Sequence, residues 1–301
     1  MNAKLSIGLP VYNEIKYVEK TLDSILSQSL KFHELIIVDN HSDDGTYQIL
    51  NKYSKKDKRI KLYRNKKNLG MIDNYNKVFE FSSGDYFSWI GAHDLYEQNY
   101  FEDLISKFKK NSKLSLVFSN VAKIDKDNKF IDKNKKTGFI LKSNILIRNI
   151  IMPFLIKGSG DMVCGVFKTS DLKKTTLFSK KVLNPDYLLI TQISNIGKID
   201  KVENPLRKRR YFRDEEVNFS NWSEKYISLK NRYIKNNGKV NILLKKLPIL
   251  VMAFNIFKVM YLKKRIYDPY CLLIGTYTSL IYLFRHRSGL LVDIIQLLKL
   301  R

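Results

Sequence analysis

Phe81 to Tyr100, FSSGDYFSWIGAHDLYEQNY, is the stretch whose reading decides the fold. Gly84 breaks whatever precedes it, and Asp85-Tyr86-Phe87-Ser88-Trp89-Ile90 is rich in aromatic and β-branched residues, the composition of a buried strand. The run stops at Gly91-Ala92-His93-Asp94, and a helical pattern (Phe101, Leu104, Ile105, Phe108) begins soon after. A strand ending in two small residues, an imidazole and a carboxylate puts polar chemistry at the carboxyl edge of a sheet. In open α/β sheets that edge is where ligands bind. The plainer reading is a turn in which Asp94 caps a helix.

The flanking sequence repeats the pattern. Lys4 to Val11 reads as a first strand, followed by a helix with Val18, Leu22, Ile25 and Leu26 on one face. Leu35 to Val38 is an all-apolar strand, as expected when both faces are covered. It ends in Asp39-Asn40-His41-Ser42-Asp43-Asp44-Gly45-Thr46 and a further helix through Tyr53, and Ile60 to Tyr63 makes a third strand. Arg64 to Gly70 is a loop and Met71 to Phe81 a helix, leading into the fourth strand, Tyr86 to Ile90. Strands alternating with helices of roughly 10 to 15 residues predict an α/β fold with a mainly parallel, doubly wound sheet. The strand-end loops, carrying Asn13-Glu14, Asp39, Asn68 and His93-Asp94, then gather on one edge. Acids and amides collected there suit a nucleotide and its metal.

These loops carry a resemblance. Pro10-Val11-Tyr12-Asn13-Glu14, then Ile36 to Thr46 (IIVDNHSDDGT), then Asn68-Leu69-Gly70 resemble the family 2 glycosyltransferases of the GT-A (Rossmann-like) fold, over about the first 210 residues. The resemblance implies an inverting hexosyl- or N-acetylhexosaminyl-transferase that moves a sugar from a nucleotide donor, expected to be UDP, to a hydroxyl of a bacterial surface glycan of the capsule, lipooligosaccharide or O-antigen type. Asp39 would accept from the base N3–H, and Pro10, Tyr12, Asn13 and Glu14 would pack on base and ribose, with Asn68 and Gly70 also on the donor side. Asp39 and Asp43 to Gly45 also suit a simple turn and helix cap.

The family places an Asp-x-Asp motif at the end of the fourth strand, whose acids bind a divalent cation bridging the diphosphate. Here Gly91-Ala92-His93 stands in its place, with Asp94 next. Imidazole ligates Mn²⁺, while Mg²⁺ prefers oxygen, so a metal site on His93 or Asp94 is one expectation. Metal independence, with Lys and Arg neutralising the diphosphate, is a second, and loss of activity a third.

Leu114 to Asn120 reads as a strand, the charged stretch Lys123 to Thr137 as a surface hairpin or loop, and Ile145 to Ile156 as an apolar helix ending at Lys157-Gly158-Ser159-Gly160-Asp161. Gly165 to Thr169 resembles the family's stretch bordering the acceptor pocket. Asn184-Pro185-Asp186 opens a helix read as amphipathic and ending near Gly197. The resemblance makes Asp186 the catalytic base; cap, proline and first-turn acid also make a good helix start on structural grounds alone. Leu206 to Phe212 (LRKRRYF) matches the family's basic strand, with Arg209 or Arg210 placed to contact the donor diphosphate.

Residues 1–215 are thus expected to form the catalytic domain and 216–301 a helical, basic C-terminal region. From Lys239 to Arg301 there are eleven Lys or Arg against two acids, Asp268 and Asp293, among apolar runs at Leu247–Leu262 and Tyr270–Phe284. These runs are short of the about 18 apolar residues a membrane span needs. With Lys263-Lys264-Arg265 and Arg285-His286-Arg287 at their ends, they read as helices on an anionic membrane surface near a lipid-linked acceptor. Packing on one another or in a homo-oligomer is the competing expectation.

A net charge of +25 points to a polyanionic neighbour, yet no recognition helix, zinc-finger spacing or aromatic RNA-binding signature is present, so nucleic acid is not expected. With 44% apolar and 28% charged residues the chain reads as globular. Cys164 and Cys271 follow no metal or disulfide spacing. Met1-Asn2-Ala3-Lys4 runs straight into a strand, so the expected location is the cytoplasm, at the inner face of the membrane. A non-catalytic nucleotide-sugar-binding or membrane scaffold protein is the rival reading.

Overall fold

The computed structural model describes residues 4–155, 159–211, 226–227, 230–231, 234, 242–261 and 269–298. The first half alternates as the periodicity predicts: β1 (Leu5–Val11), α1 (Val18–Leu26), β2 (Glu34–Asp39), α2 (Thr46–Lys56), β3 (Ile60–Arg64), α3 (Met71–Glu80) and β4 (Tyr86–Trp89). A short β5 (Leu95–Tyr96), not foreseen in the sequence, precedes α4 (Tyr100–Lys110). Then come β6 (Leu114–Ile124), β7 (Phe130–Lys135), α5 (Ile145–Ile151), α6 (Ser159–Met162), β8 (Val166–Lys168), α7 (Thr169–Leu172), α8 (Pro185–Ile196) and β9 (Lys198–Arg210). The C-terminal region contributes α9 (Ile242–Lys246), α10 (Pro248–Tyr261), α11 (Pro269–Arg285) and α12 (Arg287–Leu298).

The strands form one sheet in the order β3-β2-β1-β4-β8-β6-β9-β5, with β7 paired to β6. β3, β2, β1 and β4 are parallel neighbours, so the ends of all four reach the same edge. β8 inserts antiparallel between β4 and β6, and β9 returns parallel to β6. The charged stretch after Lys123 is the hairpin of β6 and β7.

Alternation along the strands sorts their side chains into two cores. Leu35, Ile37, Val117 and Val166 join Leu22, Ile25, Leu104 and Phe108 on one side. Ile36, Val38, Leu116, Phe118 and Phe167 join Val78, Leu189 and Ile193 on the other. Both faces are covered, which is why β2 carries no polar alternation. Pro10 fits an interior strand because β4 has run out beside it: the β1–β4 register ends at Gly8 and Trp89. Its missing N–H therefore costs no ladder bond on that side.

Two sequence expectations change. The helix from Ile145 ends at Ile151 and continues only as a 3-10 turn, Met152–Phe154, where Pro153 cannot supply the next helical N–H; Ile156 lies outside the described residues. α8 is not amphipathic: every residue from Tyr187 to Asn195 is buried. The sheet covers one side of it, while α10 covers another and Tyr282 of α11 stacks on Tyr187 at 5.7 Å. A helix enclosed all round shows no polar face. The C-terminal helices thus share one core with the sheet. The Lys263-Lys264-Arg265 cluster and Phe212 lie outside the described residues. No helix among the described residues is long and apolar enough to cross a membrane.

Candidate active site

Asp39 ends β2 fully buried. Its carboxylate accepts the Ser42 N–H at 3.2 Å and faces the Arg64 guanidinium at 3.1 Å. Arg64 also donates to the Ser42 carbonyl at 2.8 Å and lies over the Tyr47 ring. A buried carboxylate without such partners would be costly. A carboxylate has more acceptor positions than these two donors fill.

The loops after β1 and β2 lock together. Asn13 donates from Nδ2 to Asp43 at 2.8 Å and accepts the Asp43 N–H at 3.1 Å, while its own N–H donates to Ser42 Oγ at 3.0 Å. This reciprocal clasp holds Asn13 at a positive φ of 52°. Asp44 accepts from Ile15 N–H and Thr46 N–H. Burial works against its charge, but these bonds prevail and hold the carboxyl below its ordinary range. Gly45 turns into α2 at φ 100°, where a side chain would be strained and a Cβ would meet Ile15 Cδ1 at 2.7 Å. Asn68 accepts from Asn40 at 2.7 Å and from Gly70 N–H at 2.8 Å, fixing the positive-φ turn into α3. Tyr12 is exposed and available to a flat ligand, whereas Pro10 is a buried strand residue.

At the end of β4, His93 and Asp94 part company. His93 Nδ1 lies 2.9 Å from Glu14 Oε1, tying the β4 and β1 loops together. Asp94 is buried and turned inward: it accepts the Arg210 N–H at 3.1 Å and lies 3.8 Å from Arg207 Nε. Thr21 Oγ1 donates to the Asp94 carbonyl at 2.8 Å and pins the turn. His93 Nε2 stands 3.8 Å from Asp94 Oδ1. A divalent cation at this position would need several oxygen or nitrogen donors converging at about 2.0–2.6 Å. Among the described residues no group of three or more His, Cys, Asp or Glu could hold a metal ion. With the Asp94 carboxylate committed to Arg210 and Arg207, the side chains do not by themselves fit a bound cation.

Asp186 occupies the first turn of α8. Its carboxylate accepts from Ser159 Oγ at 2.9 Å, and a Cβ on Gly160 would come within 3.3 Å of Oδ2. Burial pushes the Asp186 carboxyl up, against the pull of the hydrogen bonds from Ser159 and the backbone. Asn184 makes no side-chain cap, so the helix start does not use its strongest capping residue.

Two residues along α6, Asp161 binds both basic side chains of one β9 face. Arg207 approaches at 2.5 Å, Arg209 at 2.7 Å, and Thr137 Oγ1 donates at 2.6 Å. Burial opposes the Asp161 charge, but the two guanidinium groups hold the carboxyl down to about 2. Arg209 keeps partial exposure and stacks on Tyr211 at 4.8 Å. Arg210, by contrast, spends its guanidinium on the His93, Asp125 and Lys126 carbonyls and on Asn128.

A polar path therefore runs across the sheet edge from Asp39 through Ser42, Asn13 and its neighbour Glu14 to His93 and Asp94. It continues through Arg207 to Asp161, which lies two residues along α6 from Ser159, the donor to Asp186. It joins the loops after β1, β2 and β4, while Asn68, in the loop after β3, bonds to Asn40 beside Asp39. Sequence reasoning missed Arg64, Ser159, Asp161 and Arg207. The β9 alternation carried a signal, since positions 207 and 209 share a strand face. Nothing in the sequence marked Asp161 as their partner.

The sequence profile described as Glycosyl transferase family 2 matches residues 6–170, the span holding the β1, β2 and β4 loops. An uncharacterized glycosyltransferase of Haemophilus influenzae is 27% identical over 209 residues, covering 68% of this chain and 65% of that protein. The uncharacterized glycosyltransferase MJ1057 of Methanocaldococcus jannaschii is 29% identical over 68% of this chain and 70% of its own length. The glycosyltransferase TuaG of Bacillus subtilis, named for teichuronic acid biosynthesis, is 32% identical over 43% of this chain and 51% of its own length. The chain thus spans 65% of the Haemophilus protein and 33% of a Rickettsia bellii relative. Among solved structures, S. aureus TarS 1-349 in complex with UDP aligns with a TM-score of 0.58 at 17% identity, covering 94% of this chain and 91% of that one. The profile match across the strand-end loops, on a sheet of this order, places the chain in glycosyl transferase family 2, with the GT-A fold.

Proposed function

We propose that the protein is an inverting glycosyltransferase that moves one sugar from a UDP donor to a hydroxyl of a bacterial surface glycan. The observation that carries this reading is the run of polar contacts that leads from Asp39, at the end of β2, toward Asp186 in the first turn of α8. UDP is supported by the buried acceptor at Asp39 and by the TarS complexes with UDP and UDP-GlcNAc, whose fold this chain shares. A surface glycan is supported by the likeness to TuaG. A hexosyl or N-acetylhexosaminyl donor is the expected class.

In this scheme the Asp39 carboxylate, fully buried as the loops stand, is uncovered as the base enters and accepts from the uracil N3–H, and Tyr12 lies along the base. Asp186 takes the acceptor hydroxyl proton as that oxygen bonds to the anomeric carbon. The bond from that carbon to the diphosphate oxygen breaks from the opposite face, and UDP departs with the charge. Asp186 suits the task because burial raises its proton affinity toward the working pH. Arg209, held by Asp161 yet partly exposed, supplies positive charge for the departing diphosphate. The apolar C-terminal helices support peripheral contact with an anionic membrane, where a lipid-linked acceptor would lie.

With the Asp94 carboxylate turned to the Arg210 N–H and Arg207, UDP affinity in chelator is expected within about threefold of that in Mn²⁺ or Mg²⁺. Calorimetric titration under the three conditions checks this; binding that needs Mn²⁺ and weakens in His93→Ala would instead seat a cation between His93 and the diphosphate. The catalytic reading is tested by incubating purified protein with UDP-hexoses and UDP-N-acetylhexosamines and measuring UDP release. Tight UDP binding with no turnover of any donor, alone or with glycan acceptors, would favour the non-catalytic rival.

A further inference from the structure

Outside the sheet edge, α10 and α11 flank a groove of about 990 Å³. Its walls are apolar: Leu250, Phe254 and Leu280 line it while remaining 46%, 64% and 59% exposed. The ionisable side chains lining it are Lys180, Lys181 and Lys258, with no acid among them. Lys180 is paired with Asp73 of α3; Lys181 and Lys258 are exposed. These same lysines border an adjoining recess of about 420 Å³ that also takes in Thr176, Ser179 and Leu188.

An apolar trough ending in ammonium groups and hydroxyls is complementary to a molecule with a long hydrocarbon and an anionic head. Leu188 belongs to α8, whose first turn carries Asp186, but two residues apart the two side chains point to different sides of that helix. We propose that this groove binds a single-chain lipid phosphate, the carrier of the acceptor glycan, with its hydrocarbon on Leu250, Phe254 and Leu280 and its phosphate on Lys181 and Lys258. The inference rests on the glycosyltransferase reading for the word acceptor, but the binding site is independent of it.

The test uses the full chain and dodecyl phosphate below its micelle concentration, followed by calorimetry. Dodecyl phosphate is expected to bind at least about tenfold tighter than dodecyl maltoside, with inorganic phosphate weaker still. Each methylene removed from the chain is expected to weaken binding roughly fourfold. The double variant Lys181→Glu/Lys258→Glu should lose at least about tenfold for dodecyl phosphate while UDP affinity stays unchanged, which also reports that the variant is folded. Phe254→Asp should weaken the phosphate and the maltoside amphiphiles alike. Equal affinity for charged and neutral amphiphiles, or an unaffected double variant, would overturn the site. So would sedimentation with phosphatidylglycerol vesicles in the absence of dodecyl phosphate binding, since contact would then be with the bilayer surface. If the groove behaves as expected while no sugar donor turns over, the lipid site stands and the transferase reading falls.

Discussion

Asp186→Asn is expected to lower transfer at least about a hundredfold while UDP affinity changes less than about twofold. The substitution keeps the shape of the side chain and an acceptor for Ser159 Oγ, 2.9 Å away, and removes only the capacity to take a proton. The same variant separates catalysis from helix capping through stability. Burial raises the folded-state proton affinity of Asp186 above its ordinary value. A raised carboxyl contributes stability at low pH that is lost as pH rises through the folded value, so at pH 7 the ionised group is a cost. Asp186→Asn is therefore expected to unfold at a higher temperature than the wild type at pH 7, as is common where an active site is held against its own stability. A pure first-turn acid complementing the helix dipole would give the opposite shift. The rate itself should rise with pH through a value above the ordinary 3.8 of an aspartate, since the base works only when deprotonated.

Asp161→Ala is expected to be the most damaging single change outside the loops after β1 and β2. It leaves Arg207, which is 2% exposed, with Asp94 at 3.8 Å as its remaining carboxylate and a guanidinium of like charge beside it. Removing one partner of a buried pair costs about 3–5 kcal/mol, a fall in Tm of roughly 5–8 °C for a chain of this size. Asp161→Asn keeps the Thr137 bond and the volume, and is expected to recover part of the loss. The pH dependence follows from the depressed carboxyl at about 2: the stability it gives is present above the unfolded value of 3.8 and lost as pH falls through about 2. The stability gap between wild type and Asp161→Ala should therefore narrow between about pH 5 and pH 2, as thermal unfolding across that range would show. Arg209 loses its tether in the same variant, so any protein that folds is also expected to turn over donor more slowly.

The sheet was legible because its signals are local. An all-apolar Leu35–Val38 followed by Asp39 needs only periodicity and a polar stop, and the parallel register then brings Asn13, Asp39 and His93 to one edge. The inward turn of Asp94 was not legible, since it depends on Arg207 and Arg210, more than a hundred residues later. β5 pairs with β9 across a similar separation, and two residues give no period to read. α8 read as amphipathic because its cover comes from α10 and α11, and a sequence pattern does not announce what packs outside it. Asp161 sits in a four-residue helix, Ser159–Met162, and an element so short carries little periodicity.

The most direct measurement is calorimetric titration of UDP into the wild-type protein and into Asp39→Asn, in chelator. The account predicts saturable one-to-one binding to the wild type and at least about tenfold weaker binding to the variant, because a buried acceptor for the base N3–H has been replaced by an amide. An absence of UDP binding to the wild type, with or without added Mn²⁺, or equal affinity in the two proteins, would contradict it.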